Sequence, residues 1–218
     1  AILLHGESGA DALVDGGPDA TRLLDRLRAY GVTELDLMVL THPHADHATG
    51  LIGVIGQIHV EEVWADIAPH STETSLALLD KLEAYGIEVT APQVGDQRTL
   101  GTLELRVLGP KRRYASPNDQ SIVLEAAGTR RMLLAGDIET YAQADMTGVR
   151  ADVLKVPHQG AGTSDPDWLA AVDAELAVIS VGPNEFGHPV SWVIETLERS
   201  GAIVRRTDHE GDVVVDLS

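Results

Sequence analysis

The heptad Thr41-His42-Pro43-His44-Ala45-Asp46-His47 is the feature any fold of this chain must accommodate. It sets three imidazoles and a carboxylate within six positions, directly behind the apolar run Leu35-Asp36-Leu37-Met38-Val39-Leu40. That run has the length and composition of a buried strand, so the polar cluster falls at the strand's C-terminal end. Residues two apart on extended chain point the same way, which lets His42 and His44 converge on one point. Pro43 fixes its own φ and biases His42 towards an extended conformation. Asp46 and His47 then enter the first turn of an expected helix and face a second point nearby. Imidazoles and a carboxylate make poor core, because each needs a buried partner. They make good ligands for zinc and its first-row neighbours. A His-rich polar turn is the plainer alternative.

Composition bounds the rest. At 218 residues, 44% of them hydrophobic, the chain suits one domain with a sizeable core. With 4% aromatic residues, that core must be built of Leu, Val, Ile and Ala. A net charge of −18 argues against non-specific binding of phosphate backbones by the surface as a whole. The absence of cysteine excludes disulfides and thiolate ligands. No secretory signal and no long apolar span is legible. The chain opens inside an expected strand, Ala1 to His5. The expectation is a soluble domain of open localisation: extracytoplasmic if it is a piece excised from a larger membrane protein, cytoplasmic otherwise.

In chain order, strands at 2–4 and 12–14 are joined by the hairpin signal Gly6-Glu7-Ser8-Gly9, and Asp15-Gly16-Gly17-Pro18 forms a sharp turn. A helix is expected over 19–30 and a short one after the heptad through Leu51 and Ile52. A strand is expected at 62–65, then a helix over 72–85 with Leu76, Leu79 and Leu82 inward. The period changes to two over 98–108, and hairpin strands follow at 121–126 and 131–135. The second half alternates: helix near 138–145, strand 153–156, helix near 165–172, strand 176–181, helix 190–199. Strands at 203–206 and 213–217 end the chain. Two mixed halves, about 1–115 and 116–218, imply one domain of two facing sheets with helices outside.

HxHxDH behind an apolar strand is similar to the signature of the metallo-β-lactamase superfamily. The blocks NDQSIVLE (118–125), RMLLAGD (131–137), ADVLKVPHQG (151–160) and AVISVGPNEFGHP (177–189) follow in an order that resembles the C-terminal hydrolase domain of ComEC-type competence (DNA-uptake) proteins. The resemblance implies a four-layer αββα sandwich, a mixed α/β fold, with two divalent cations at one edge. Zinc is the first expectation, with manganese or iron as alternatives. It implies metal ligands at His42, His44, Asp46, His47, Asp137 and His158, with Asp137 bridging and Asp15 supporting the ligands from behind. Capping of the following helix is the lesser alternative for Asp137, and Asp15 can equally be a plain turn aspartate.

His158 and His188 each stand at a strand end, as ligand or as proton donor. Two departures matter. The usual motif has two consecutive histidines where this chain has His158-Gln159, and Gln159 can only hydrogen-bond a substrate. Where many relatives carry a further histidine, Asn118-Asp119-Gln120-Ser121 stands. Asn118, Asp119 and Ser121 are candidates for completing the first site or contacting substrate; a turn before a strand is the alternative. An oxygen-richer first site favours Mn²⁺ or Fe over Zn²⁺.

The chemistry allowed is hydrolysis, with Asp46 as base and His188 as acid. A phosphodiester such as single-stranded DNA is the expected substrate, and Lys111-Arg112-Arg113 a candidate phosphate clamp. A small-molecule ester or amide hydrolase (β-lactam, lactone or thioester) is the alternative. A non-catalytic metal-binding or docking domain is the third reading.

Overall fold

In the computed structural model, which describes residues 1–6, 9–68 and 70–218, the chain divides into two compact units. The first holds residues 1–93 and 98–102, the second 94–97 and 103–218. The turn expected at 6–9 lies partly outside the described residues.

The first unit is built on the sheet order β1-β2-β4-β6-β7. Its strands are β1 (Ile2–His5), β2 (Asp11–Val14), β4 (Leu37–Leu40), β6 (Val63–Ala65) and β7 (Val89–Thr90). A separate parallel pair joins β3 (Glu34–Leu35) to β5 (His59–Val60), two strands too short to show in the sequence pattern. β1 and β2 are antiparallel; β2, β4, β6 and β7 run parallel. Every residue of β2 and β4 is buried and, apart from Asp11 at the start of β2, apolar, as strands inside a parallel sheet require. Helices α1 (Ala20–Ala29), α2 (Ala45–Val54) and α3 (Glu73–Ala84) complete the unit. Asp19 caps α1 by accepting from Arg22 N.

α3 corrects one expectation. Its buried leucines are Leu78 and Leu82, while Leu76 is exposed. With leucines at 76, 78, 79 and 82, two faces are nearly equally apolar. The capping pair Thr72–Ser75 fixes where the helix begins, and Thr72 Oγ1 donates to Pro43 O at 2.7 Å. That tie to the histidine heptad, with packing against α2, selects the face. Burying each leucine contributes about 2 kcal/mol.

β8 (Gln97–Leu100) spans the division, and β9 (Leu103–Gly109) opens the second unit's sheet. The strand order there is β14-β13-β12-β11-β10-β9. The strands are β10 (Val123–Ala127), β11 (Arg131–Leu134), β12 (Val153–Lys155), β13 (Leu176–Ile179) and β14 (Ile203–Arg206). β9, β10 and β11 are antiparallel; β11 to β14 are parallel. Helices α4 (Thr140–Asp145), α5 (Pro166–Ala171) and α6 (Ser191–Arg199) pack with it around an aliphatic core.

The strand expected at 213–217 does not form. A short helix, α7 (Thr207–Glu210), follows β14 instead. Leu217 O accepts from Thr129 N and Arg130 N. These bonds do not make a ladder, so alternation alone did not make a strand. Among the described residues, no helix is long and apolar enough to cross a membrane.

Candidate metal centre

In the first unit, β2 and β4 run parallel with Val14 opposite Val39. Their C-terminal ends therefore leave the sheet side by side, and Asp15 arrives next to Thr41. The turn after Asp15 lies against α2: Gly16 N donates to His47 O at 2.7 Å, and Gly50 N to Gly17 O at 2.9 Å. A Cβ on Gly50 would stand 2.0 Å from Gly16 O, so only glycine permits this approach. It brings Asp15 under the histidines, with its backbone at φ 58, a left-handed conformation that non-glycine residues rarely adopt.

Asp15 organises what lies above it. Its carboxylate accepts from Thr41 N at 2.9 Å, Thr41 Oγ1 at 2.9 Å and His47 Nδ1 at 2.8 Å. The Thr41 hydroxyl, its proton committed to Asp15, serves as acceptor for His42 Nδ1 at 3.2 Å. One buried carboxylate thus sets the tautomer of two rings, leaving Nε2 of each as the lone-pair nitrogen. Burial acts to raise the Asp15 pKa; the adjacent His47, its hydrogen bond, His42 and the Thr41 N–H outweigh it and hold the group below the ordinary carboxylate value. His42 Nε2 lies 3.1 Å from His44 Nδ1, and His47 Nε2 lies 3.6 Å from Asp46 Oδ2. Two nitrogens at that separation either share a proton or face a common cation; two ligands on tetrahedral zinc are about 3.3 Å apart. The donor set fits a first-row cation. His44 is the extended residue that caps α2, and Asp46 and His47 stand in its first turn.

In the second unit, β11, β12 and β13 are parallel and in register at Leu134, Lys155 and Val178. Three strand ends therefore open at one sheet edge, delivering Asp137, His158 and the loop that carries His188. Pro157–Gly160 is a 3-10 turn with His158 at φ 48 and Gln159 at φ 55. Val190 N donates to Gly160 O at 3.0 Å, which stitches this turn to the His188 loop. The His158 and His188 rings stand edge to face, 5.6 Å apart. His158 Nδ1 faces Glu139 Oε1 at 3.2 Å. Burial lowers the His188 pKa, the neighbouring His158 lowers it further, and Asp137 opposes both.

Two residues escaped the sequence reading. Lys155 is buried, donates to Gly136 O at 3.0 Å and stands 3.5 Å from Asp137 Oδ1. Glu139 holds His158 and also accepts from Asn118 Nδ2 at 3.2 Å. A charged residue inside the apolar run 153–156 was the available signal for the first; nothing local marks the second.

The candidates at 118–121 divide. Asp119 is buried and its carboxylate accepts from Glu139 N and Ala142 N, capping α4. Ser121 is buried and accepts from Asp137 N at 3.1 Å. Both are engaged with backbone, a correction to their expected contact with substrate: they hold Asp137 and α4 in place. Asp137 does not cap α4, because Asp119 does. Asn118 and Gln159 remain partly exposed beside His158.

The clamp expected at Lys111-Arg112-Arg113 is committed in part. Arg112 pairs with Asp145 at 2.6 Å and lies over the Tyr114 ring, while Tyr114 OH donates to Asp145 at 2.8 Å. Burial, then the Asp145 hydrogen bond and charge, push the Tyr114 pKa from 10.0 to about 12. Stability that depends on the neutral phenol is therefore intact below pH 10 and is lost as pH rises through about 12. Absorbance titration is expected to show one of the four tyrosines ionising near pH 12, and Tyr114→Phe should remove that step. A Tyr114→Phe protein that keeps the late step would contradict the assignment.

The sequence description that matches residues 1–181 is that of the Metallo-beta-lactamase superfamily. This chain belongs to the metallo-β-lactamase superfamily. That superfamily consists mostly of metal-dependent hydrolases. The chain is 29% identical over 199 residues to ComE operon protein 3 of Bacillus subtilis and 29% identical over 201 residues to Competence protein ComA of Neisseria gonorrhoeae. Each match covers 88% of this chain and 26% of the relative, so the chain spans about a quarter of their length. Among solved structures it is similar to CmlA, a diiron β-hydroxylase from Streptomyces venezuelae, with a TM-score of 0.62 and 16% identity over 94% of this chain and 50% of that one. Zn²⁺-bound PqqB from Methylobacterium extorquens gives a TM-score of 0.56 and 14% identity over 94% of this chain and 82% of that one. These likenesses show the fold, the metallo-β-lactamase fold expected from the heptad.

Proposed function

We propose that this chain is the hydrolase domain of a competence-type protein, a metal-dependent phosphodiesterase acting on single-stranded DNA. The observation that carries the reading is the Asp15-centred network, which engages Nδ1 of His47 directly and Nδ1 of His42 through Thr41, with Nε2 of the two rings towards Asp46 and His44. Such preorientation serves cation binding and does nothing for a polar turn. In the first unit the ligands would be His42, His44, Asp46 and His47; in the second, Asp137 and His158 are the candidate ligands. Membership of the superfamily supports that set. Two divalent cations in such a set supply Lewis acidity and an acidified water.

The remaining steps belong to side chains. Asp46 takes the proton of the attacking water. His188, whose lowered pKa disfavours the imidazolium, would hydrogen-bond the leaving oxygen through its ring N–H, and the proton taken up by Asp46 would return to that oxygen. Asn118 and Gln159 hydrogen-bond the substrate, and Lys155 balances the buried Asp137 charge. Imidazole and carboxylate together suit zinc, and manganese or iron accept the same ligand types. That a diiron protein and a zinc protein share the fold is consistent with either. The competence relatives support a phosphodiester, and their greater length supports a place within a longer protein.

The test is to load the protein with Zn²⁺ or Mn²⁺, measure bound metal, and offer single-stranded DNA, bis-p-nitrophenyl phosphate and a chromogenic β-lactam. Cleavage of the two phosphodiesters is expected. Turnover of the β-lactam alone would replace this reading with a small-molecule hydrolase, and inertness with metal bound would point to a docking domain.

A further inference from the structure

We propose that Phe186 is the stacking platform for a nucleobase of the substrate strand, beside His188; the inference rests on the phosphodiesterase reading and deepens it. Phe186 is the chain's single phenylalanine and is 80% exposed. A ring left in water to that extent adds almost nothing to the core. Its position is nevertheless prepared. Asn184 Nδ2 donates to Gly182 O at 3.0 Å and to His188 O at 2.9 Å, and His188 N returns a bond to Asn184 Oδ1 at 3.0 Å. This closed set of bonds shapes the loop around Phe186.

The Phe186 ring lies 20° from parallel to the His188 imidazole, with centroids 5.8 Å apart. His188 in turn stands edge-on to His158, and its Nδ1 is buried without a hydrogen-bond partner among the described residues. Three rings thus run in a row from the candidate metal ligand His158 through His188 to an aromatic face open to solvent. A flat apolar group docked on Phe186 stands next in that row, one ring beyond His188. A phosphodiester strand carries such a group on every nucleotide.

Charge points the same way. The net charge of −18 repels a polyanion, and Arg112, Arg205 and Arg206 are each paired with a carboxylate. Affinity for a strand cannot be drawn mainly from phosphate contacts on such a surface. Stacking is the sequence-tolerant alternative, and every base has a π face. One stacked base is worth about tenfold in Kd, the equivalent of about 1.4 kcal/mol.

The experiment compares a fluorescently labelled oligothymidylate with an abasic strand of the same length and charge. Binding is read by anisotropy without added metal, and cleavage with Mn²⁺ added. Wild type is expected to bind the oligothymidylate about tenfold tighter than the abasic strand. Phe186→Ala should bring that ratio close to one, and Phe186→Trp should retain it. Exposure of the ring makes both variants foldable, which circular dichroism checks. A wild-type ratio of one, or a ratio unchanged in Phe186→Ala, overturns the stacking assignment while cleavage of both strands leaves the phosphodiesterase reading standing. Absence of cleavage of either strand overturns that reading, and this inference with it.

Discussion

Asp46→Ala is expected to lower kcat on single-stranded DNA by about a thousandfold while leaving the fold unchanged. The two effects separate cleanly in magnitude. The Asp46 side chain is 45% exposed in the first turn of α2, so the core does not depend on it. Losing a carboxylate at a helix N-terminus costs about 0.3–1 kcal/mol. A thousandfold loss of rate corresponds to about 4 kcal/mol of transition-state stabilisation. The measurement is kcat at matched metal content, with thermal unfolding alongside. Lost activity with metal retained assigns Asp46 to proton transfer, and lost metal assigns it to ligation. Wild-type turnover in the variant would remove Asp46 from the mechanism.

Asp15→Ala should act in the opposite way, on stability and metal binding together. The carboxylate it removes accepts from Thr41 N, Thr41 Oγ1 and His47 Nδ1, all buried. Each buried donor left without a partner costs about 1–3 kcal/mol, and alanine at φ 58 adds strain. A total of about 3–5 kcal/mol is expected, lowering Tm by about 10 °C in a chain of this size. Divalent-metal affinity should fall about 10–100-fold, because His42 and His47 lose the bonds that select their tautomers. Asp15→Asn keeps the volume and the Thr41 contacts, so it should recover most of the Tm and little of the affinity. Calorimetric titration with Zn²⁺ decides the matter: wild-type affinity in Asp15→Ala would show that the rings are oriented without Asp15.

The parts of the site legible in the sequence are the local ones. An apolar run of strand length followed by HxHxDH places His42, His44, Asp46 and His47 within one strand end and one helix turn, where spacing alone dictates direction. Asp137, His158 and His188 were legible for a related reason, since each follows a run of strand-forming residues. Asp15 was legible only through the family resemblance: its partner Thr41 is 26 residues away, and the β2–β4 register and the Gly16–Gly50 contact bring the two together. Asp119 and Ser121 read as substrate contacts because a polar turn before a strand looks the same whether it faces solvent or caps a buried helix. Leu76 misled because four leucines in seven positions of α3 leave the buried face open until a neighbour chooses it.

The sequence by itself determined the side chains on offer: imidazoles and carboxylates placed just beyond strand-forming runs. It also determined the family, through motifs whose spacing is local. Only the tertiary structure decided which carboxylate orients the histidines, which serine and aspartate are scaffolding, that Lys155 sits buried against Asp137, and that Phe186 stands open beside His188. The reason is physical. Direction along a strand or a helix turn is fixed by backbone geometry over a few residues. Burial and partnership are fixed by contacts between segments far apart in the chain, which no short stretch of sequence encodes.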